Sequence, residues 1–186
     1  MSKIASIKHY DIANGEKIRT SIFFSGCEHY CKNCFNSELW DFKVGEEFNR
    51  EFYETKIKPT INEHIDGISI LGEEPMHPNN IKATSQLIEW FKNDFPNKTI
   101  WMWSGYIFEE LMPFFDNYMC IKDERFSKTK HVFKLVLSIL NNIDVLVDGP
   151  FIEEQKDLTL KWCGSKNQRV IDVRKTMQQR EIVLYG

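Results

Sequence analysis

The 186-residue sequence has little that would direct it to a membrane, out of the cell or onto nucleic acid. Its opening residues, MSKIASIKHYDIANGEK, carry charges throughout and contain no apolar core of a secretory signal. The most apolar later stretch, at 132–147, is interrupted by Lys134 and two asparagines, so we expect no membrane span. The net charge is −3, which provides no basic field for nucleic acid or lipid headgroups. We therefore expect a cytoplasmic protein that binds neither nucleic acid nor membrane.

Cysteine is also scarce, and its distribution is uneven. The chain has five cysteines, of which three lie within eight residues, and an odd number cannot pair completely into disulfides. This favours a reducing compartment. Apolar residues make up 42% of the chain and charged residues 27%, as in ordinary globular proteins. Because no linker, repeat or change of composition divides the sequence, we expect a single domain over residues 1–186.

Four short apolar runs, each followed by a glycine-containing turn, recur along the chain. They are IRTSIFF before SGC (18–27), GISIL before GEEP (67–75), TIWMW before SGY (99–106) and IDVLV before DGPF (143–151). Runs of this length that are rich in β-branched and aromatic residues predict buried strands.

Helical spacing of apolar residues predicts helices between and after these strands. The clearest example is IKATSQLIEWFKND (81–94), which Pro96 ends. Weaker patterns predict helices at 48–65 with a break at Pro59, after Tyr106, and at 130–140. Alternating strands and helices predict an α/β fold with a parallel sheet, in which ligands bind at the carboxyl ends of the strands. The four glycine turns lie at those ends, so we expect the functional site there.

The first of these turns contains Cys27, Cys31 and Cys34, spaced Cys-x3-Cys-x2-Cys. Positions i, i+4 and i+7 would also fit one buried face of a helix, but Gly26 and the polar residues between the cysteines indicate a loop. A structural zinc site is a second alternative, although zinc prefers four ligands in paired sets. The candidates for a fourth ligand are unpaired in sequence: Cys120, Cys163, His9, His29 and His64.

A [4Fe–4S] cluster is the third interpretation, and it uses the missing fourth ligand. Each iron bound by the protein takes one thiolate, so three cysteines leave one iron without a protein ligand. An open coordination position distinguishes catalytic from structural metal sites, because a substrate can occupy it. The spacing therefore favours a cluster that binds a substrate directly.

Four ordered motifs resemble those of radical S-adenosylmethionine (SAM) enzymes, and in particular the activating proteins of anaerobic ribonucleoside-triphosphate reductase. They are SGCEHYCKNCFN (25–36), GEEPMHP (72–78), WMWSGYIFEEL (101–111) and VLVDGPFIEEQKDLTLKWCGSKNQR (145–169). Phe35 follows the third cysteine as in those activating proteins, whereas an aromatic residue commonly precedes it elsewhere in the superfamily. The resemblance covers roughly residues 5–111 and 141–173. Residues 113–140 match nothing and are a candidate insertion.

The resemblance implies a partial (β/α) barrel of radical SAM type, a [4Fe–4S] cluster and reductive cleavage of SAM. It implies that the anaerobic reductase is the protein substrate, on which a glycine near the C-terminus becomes a glycyl radical. Reduced flavodoxin or a similar protein is the expected electron donor, and a homodimer is a further expectation from the family. The alternatives are activation of another glycyl radical enzyme, a small-molecule radical SAM reaction, or a non-catalytic zinc or electron-transfer module.

The resemblance also implies roles for individual residues. Cys27, Cys31 and Cys34 would hold three irons, and the fourth iron would bind the methionine end of SAM. The Gly72 turn would let the backbone approach that end, and the Glu74 carboxylate would accept a hydrogen bond from the ammonium group. Further SAM-binding positions are Asn33, Cys34 and Phe35 on the adenosyl side, Glu73, and Ser104 on a third wall.

Some assignments stay open on the sequence alone. Glu73 replaces the second glycine of the family motif, which puts the shape of this turn in doubt, and GEEP on its own is an ordinary acidic turn. Ser104 could instead be a helix N-cap. Gln168 and Arg169 fit either a partner surface or a salt-bridged closing strand, and Asp148 fits either a structural or a partner-facing role. The aromatic residues at 90, 101, 103, 114 and 115 are most simply core, and Cys120 and Cys163 are expected to be spectators.

Overall fold

The computed structural model describes residues 1–112 and 130–186. Within these two ranges, seven strands form one open sheet in the order β3-β1-β2-β4-β5-β6-β7. The strands are β1 (Lys3–Asp11), β2 (Arg19–Phe24), β3 (Glu46–Glu47), β4 (Gly67–Gly72), β5 (Thr99–Trp103), β6 (Val145–Asp148) and β7 (Arg169–Asp172).

The four predicted strands, β2, β4, β5 and β6, are confirmed and form the parallel centre of the sheet. Ile22, Ile68 and Ile100 in this centre are completely buried, as expected for strands covered on both faces. Phe24 pairs with Gly72, so β2 and β4 end at the same level of the sheet. The turns that follow them therefore begin side by side.

Three antiparallel strands that were not predicted flank this centre, so the predicted parallel sheet is mixed. β1 pairs with both β2 and β3, and β7 pairs with β6. The sequence pattern did not reveal β1 because much of this strand is exposed, including Lys8 and His9, and carries polar residues. The result is an open, mixed α/β sheet.

Within the described residues, helices lie in all four predicted regions, and a fifth helix, Val173–Gln179, was not predicted. They are α1 (Arg50–Phe52), α2 (Ile81–Asp94), α3 (Phe108–Leu111), α4 (Lys130–Leu140) and α5 (Val173–Gln179). α1 continues through a π-helical turn, Tyr53–Ile57, and a 3-10 turn, Lys58–Thr60. The helix predicted over 48–65 is therefore shorter, because Asn49 caps its start and Pro59 lies in its last turn.

The hydrophobic core lies between the sheet and these helices. α2 buries Leu87, Ile88 and Phe91, and α4 packs against α2 with Ile139 and Leu140 buried. The last part of the candidate insertion at 113–140 thus belongs to the core, whereas its first part, together with Phe114, Phe115 and Cys120, lies outside the described residues. Within residues 1–112 and 130–186, no helix combines the length and apolar character needed to cross a lipid bilayer.

The end of β1 is held by a buried carboxylate. Asp11 is 1% exposed and accepts hydrogen bonds from Ser21 Oγ at 2.6 Å, Asn14 Nδ2 at 2.6 Å and the Ala13 backbone N–H at 3.0 Å. Lys8 Nζ lies 2.9 Å from the same carboxylate. Burial by itself would raise the pKa of Asp11, but these donors outweigh it and lower the pKa from 3.8 to about 2.

We predict that Asp11→Asn lowers the free energy of unfolding at pH 7 by about 1–3 kcal/mol, because an amide replaces an acceptor that faces several donors. The folded pKa is lower than the unfolded one, so this contribution is complete above about pH 4 and is lost as the pH falls toward 2. Urea unfolding of both proteins at several pH values measures the difference. Asp41→Asn, at an exposed position, is the control, and a difference that does not change with pH would contradict the assignment.

Candidate functional site

The carboxyl ends of the parallel strands enclose a cavity of about 350 Å³. Its wall contains the three clustered cysteines and Phe35 from the turn after β2, and Gly72, Glu73 and Glu74 from the turn after β4. Ser104 and Gly105 come from the turn after β5, and Gly149, Pro150 and Phe151 from the turn after β6. The four predicted turns therefore meet at one site, as expected for the carboxyl edge of a parallel sheet.

The cysteine segment is a loop, so the interpretation as a helix face was wrong. Backbone hydrogen bonds tie its start to a later segment, from Gly26 N–H to Leu39 O at 2.8 Å and from Cys27 N–H to Trp40 O at 3.2 Å. Gly26 has φ 92°, and a Cβ at this position would collide with the ring of Phe42. Glycine is therefore required where the chain leaves β2 and begins the loop.

The three thiols line the same cavity but differ in solvent exposure. Cys27 is 7% exposed, while Cys31 and Cys34 are half-buried. Burial raises the pKa of Cys27 to about 12, opposed by the His29 backbone N–H, and burial also raises the pKa of Cys31 and of Cys34. These thiols would stay protonated at neutral pH without a cation, and bound metal is what deprotonates such groups.

The arrangement fits a cluster better than a single ion. Among the residues that the structure describes, no three His, Cys, Asp or Glu side chains are grouped closely enough to hold one metal ion. The three ligands of a [4Fe–4S] cluster bind three different irons, so they stand farther apart than the ligands of a single zinc. Cys27, Cys31 and Cys34 are the cysteines that border the cavity in the described part of the chain, and three thiols around one cavity match that donor set.

Glu74 connects three of the four turns. This carboxylate is 1% exposed. Its Oε1 accepts from Met76 N–H at 2.9 Å and Ser104 Oγ at 2.8 Å, and its Oε2 accepts from Gly105 N–H at 2.7 Å and His29 Nε2 at 2.9 Å. Four donors saturate the carboxylate within the protein.

His29 links the cysteine loop to this carboxylate. Its ring also packs edge-on against Tyr106, with the ring centroids 4.7 Å apart. A Cβ on Gly105 would lie 2.5 Å from His29 Cδ2, so glycine leaves the room that the ring occupies. The sequence indicated His29 only as a candidate zinc ligand, because spacing does not reveal a hydrogen-bond partner 45 residues away.

Glu73 differs from its neighbour. Its side chain lines the cavity and the residue is 9% exposed, yet Oε1 has no hydrogen-bond partner among the described residues. Burial raises the pKa of Glu73 to about 7, with further contributions from the charges of Glu38 and Glu74. Gly72, not Glu73, takes the left-handed conformation of the turn, with φ 102°. The extra side chain is therefore accommodated without backbone strain at Glu73 itself.

Aromatic residues form another part of the cavity wall. Phe35 packs on Phe151 with ring centroids 5.2 Å apart, and Lys156 Nζ lies 4.9 Å from the centroid of Phe35. Trp103, expected to be core, also borders the cavity and donates from Nε1 to Trp162 O at 2.8 Å. The segment after β6 was identified by motif only, and its position over Phe35 depends on tertiary packing.

The predicted site residues are brought together with one exception. Cys27, Cys31, Cys34, Phe35, Gly72, Glu73, Glu74 and Ser104 all border the cavity. Asn33 is exposed, has φ 55° and does not border it. Cys163 does not border it either.

Three open assignments have structural answers. Ser104 is not the N-cap of α3, which is Ile107, and its hydroxyl donates to Glu74 instead. Arg169 lies on β7, where it pairs with Asp148 and with Glu109, whose Oε2 is 2.6 Å from Nη2. Asp148 and Arg169 thus have structural partners, as the interpretation as a salt-bridged closing strand predicts.

Comparison with known proteins agrees with this site. Residues 13–171 match the family described as "4Fe-4S single cluster domain", so the chain is an α/β protein of the single-cluster iron–sulfur class. Over most of its length, the chain is also similar to anaerobic ribonucleoside-triphosphate reductase-activating proteins. The activating protein of Vibrio cholerae is 37% identical over 85% of this chain and 90% of its own length. That of Escherichia coli K12 is 32% identical over 88% of this chain and 94% of its own length. That of Enterobacteria phage T4 is 30% identical over 86% of this chain and 87% of its own length. The chain belongs to this family of activating proteins.

We predict that Glu74→Gln lowers the free energy of unfolding by about 2–4 kcal/mol. Each carboxylate oxygen accepts from a backbone N–H, of Met76 or of Gly105, so either orientation of the new amide places its NH2 against a fixed donor. Urea unfolding of the metal-free chain measures the loss. Ser104→Ala removes a single donor and is expected to lower the free energy of unfolding by about 1 kcal/mol, so equal losses would contradict the central role of Glu74.

Proposed function

We propose that this chain is a radical SAM activase that generates a glycyl radical on an anaerobic ribonucleoside-triphosphate reductase. The observation that carries the proposal is the convergence of three cysteines from one loop on a cavity that no other cysteine of residues 1–112 and 130–186 borders, in a chain of the activating-protein family. When bound, a reduced [4Fe–4S] cluster supplies the electron that cleaves SAM, giving methionine and, after removal of a hydrogen atom from the reductase glycine, 5′-deoxyadenosine.

Cys27, Cys31 and Cys34 are the residues that would hold the cluster. Cys27 lies deepest, and the loop around the thiols provides N–H donors, such as that of His29, 3.4 Å from Cys27 Sγ. Such donors to cluster thiolates stabilise negative charge and thereby influence the reduction potential. The protein's part would be to bind the cluster through these three thiolates and to leave one iron without a protein ligand.

We propose that SAM binds in this cavity beside the cluster. Gly72 borders this cavity and has φ 102°, and a Cβ there would lie 2.5 Å from Phe24 O, so glycine allows this turn to pack closely against β2. Phe35 provides an aromatic surface for the adenosyl part, near Phe151. The contact predicted between Glu74 and the SAM ammonium would have to compete with four protein donors.

The fold and the partners follow from the same proposal. The four parallel strands would be the core of a partial (β/α) barrel of radical SAM type, within a single domain over 1–186. The reductase would present its glycine at the open side of the cavity, and reduced flavodoxin or a similar protein would deliver the electron. A cytoplasmic location and a homodimer complete the proposal.

We predict that the anaerobically reconstituted protein, mixed with SAM, a reductant and the reductase, produces a glycyl radical detectable by electron paramagnetic resonance. Cys31→Ala should abolish both this signal and the formation of 5′-deoxyadenosine, because a cluster ligand is lost. Cys163→Ala, which removes a thiol outside the cavity wall, is the matched control and should retain both.

Two outcomes would contradict different parts of the proposal. Formation of 5′-deoxyadenosine without a radical on the reductase would show that the protein substrate is wrong while the chemistry is right. Purified protein that contains zinc, without iron or sulfide, would overturn the cluster and the enzyme together.

A further inference from the structure

Asn80 lies at the start of α2, at the position where an asparagine usually caps a helix. An N-cap side chain normally accepts a hydrogen bond from a backbone N–H of the first turn. Asn49 does so at the start of α1, where its side chain accepts from the Phe52 N–H at 2.9 Å. Asn80 makes no such bond, although it is the N-cap residue of α2. Its side chain therefore serves another segment.

The Asn80 amide contacts the backbone where the cysteine loop begins. Its Nδ2 donates to Ser25 O at 2.9 Å and to Glu74 O at 3.1 Å, and Gly26 O lies 3.5 Å away. Only the NH2 group of an amide can donate to carbonyls, so these three acceptors determine the orientation of the side chain. Asn80 thus joins the start of the cysteine loop to the turn after β4.

This arrangement is unfavourable for α2 and for Asn80 itself. The residue is completely buried, and Oδ1 has no hydrogen-bond partner among the residues that the structure describes. A buried unpaired oxygen and a missing helix cap each reduce stability. Rotating the amide toward the first turn of α2 would give Oδ1 a donor, but it would take the NH2 group away from the loop carbonyls. The fold keeps the loop contact in preference to the cap.

The carbonyls that Asn80 contacts lie directly before Cys27. Ser25 and Gly26 are the two residues that precede this cysteine. Gly26 O also accepts from the Glu74 N–H at 3.3 Å. Cys27 is 7% exposed, and its backbone leaves β2 through these two held residues. The Asn80 amide therefore restrains the position from which the Cys27 side chain reaches the cavity.

His77 supports the same part of the loop. Its Nδ1 accepts from the Asn79 N–H at 3.1 Å, so the hydrogen of the neutral ring is on Nε2, which lies 3.3 Å from Glu28 Oε2. The ring also packs on Phe42, with the ring centroids 4.7 Å apart, and the Phe42 ring covers Gly26. Because Glu28 is exposed, this ion pair contributes little by itself. The buried amide contacts are the stronger restraint.

We propose that Asn80 is a positioning residue that holds Cys27 in place for the cluster. The identity of the bound group rests on the proposed function, and the choice of residue rests on the hydrogen bonds to the loop carbonyls. A ligand whose backbone is already fixed needs less ordering when the cluster binds, so this preorganisation strengthens binding. The amide provides that order in place of a cap for α2.

The first test measures the order of the loop in the metal-free full chain. Alkylation by iodoacetamide under native, reducing conditions is followed at each cysteine by peptide mass spectrometry. We expect Asn80→Ala to accelerate alkylation of Cys27 roughly 10-fold, because the loop opens more often without the amide donor. Alkylation of Cys163, which does not border the cavity, should change by less than about twofold.

The second test measures how firmly the cluster is held. After anaerobic reconstitution, the decay of cluster absorbance is followed in the presence of an iron chelator. We expect Asn80→Ala to shorten the half-life of the cluster roughly 10-fold, as for other residues that orient metal ligands. Asn80→Ser can cap α2 but lacks the NH2 group, so it should behave alike in both tests. It replaces Asn80→Ala if that variant does not fold.

Asn49→Ala is the matched control, because it removes an asparagine that does cap its helix and lies outside the cavity wall. It should lower the urea midpoint of unfolding and leave Cys27 alkylation and the half-life of the cluster within about twofold. If it accelerates both processes as the Asn80 variants do, Asn80 acts through global stability alone and the inference is wrong. Native alkylation rates or native cluster half-lives in the Asn80 variants would also overturn it.

Failure of this inference can be told apart from failure of the proposed function. A native chain that takes up zinc, without iron or sulfide, contradicts the proposed function. The alkylation test needs no cluster, so it still decides whether Asn80 orders the loop around Cys27.

Discussion

The geometry of the site depends on the hydrogen bonds that converge on the buried carboxylate of Glu74. The donors belong to the cysteine loop through His29, to its own turn through Met76, and to the turn after β5 through Ser104 and Gly105. Parallel pairing of β2, β4 and β5 brings these turns to one edge, but pairing alone does not set the orientation of irregular segments. The Glu74 carboxylate sets this orientation, because each donor would lose a buried hydrogen-bond partner if its segment moved.

This use of Glu74 accounts for the different environment of Glu73. One carboxylate belongs to the scaffold, and the adjacent one borders the cavity with an unpaired oxygen and a raised pKa. Two successive glutamates of one turn thus have different environments, one fully hydrogen-bonded and one not. Gly72 makes this difference feasible, since it takes the left-handed conformation and leaves Glu73 in an ordinary one.

The predictions that succeeded depended on local patterns. Apolar runs identified the four central strands, because strands buried on both faces have continuous apolar sequences. Helical periodicity identified α2 with its bounds, because a helix buried on one face has regularly spaced apolar residues. β1 was not predicted because its partly exposed face carries polar residues. The end of the helix at Thr60 was also missed, since the apolar pattern continues to Ile65 although the helix does not.

By itself, the sequence determined the loop, the number of thiols, the parallel centre of the sheet and the family, because spacing and hydrophobic pattern act over short distances along the chain. Only the tertiary structure decided which polar groups have hydrogen-bond partners within the protein. Nothing in GEEP distinguishes Glu73 from Glu74, and the donors that saturate Glu74 come from residues 45 and 31 positions away. Hydrogen-bond satisfaction is a property of the assembled site, so the different environments of the two glutamates could be recognised only after folding brought those donors together.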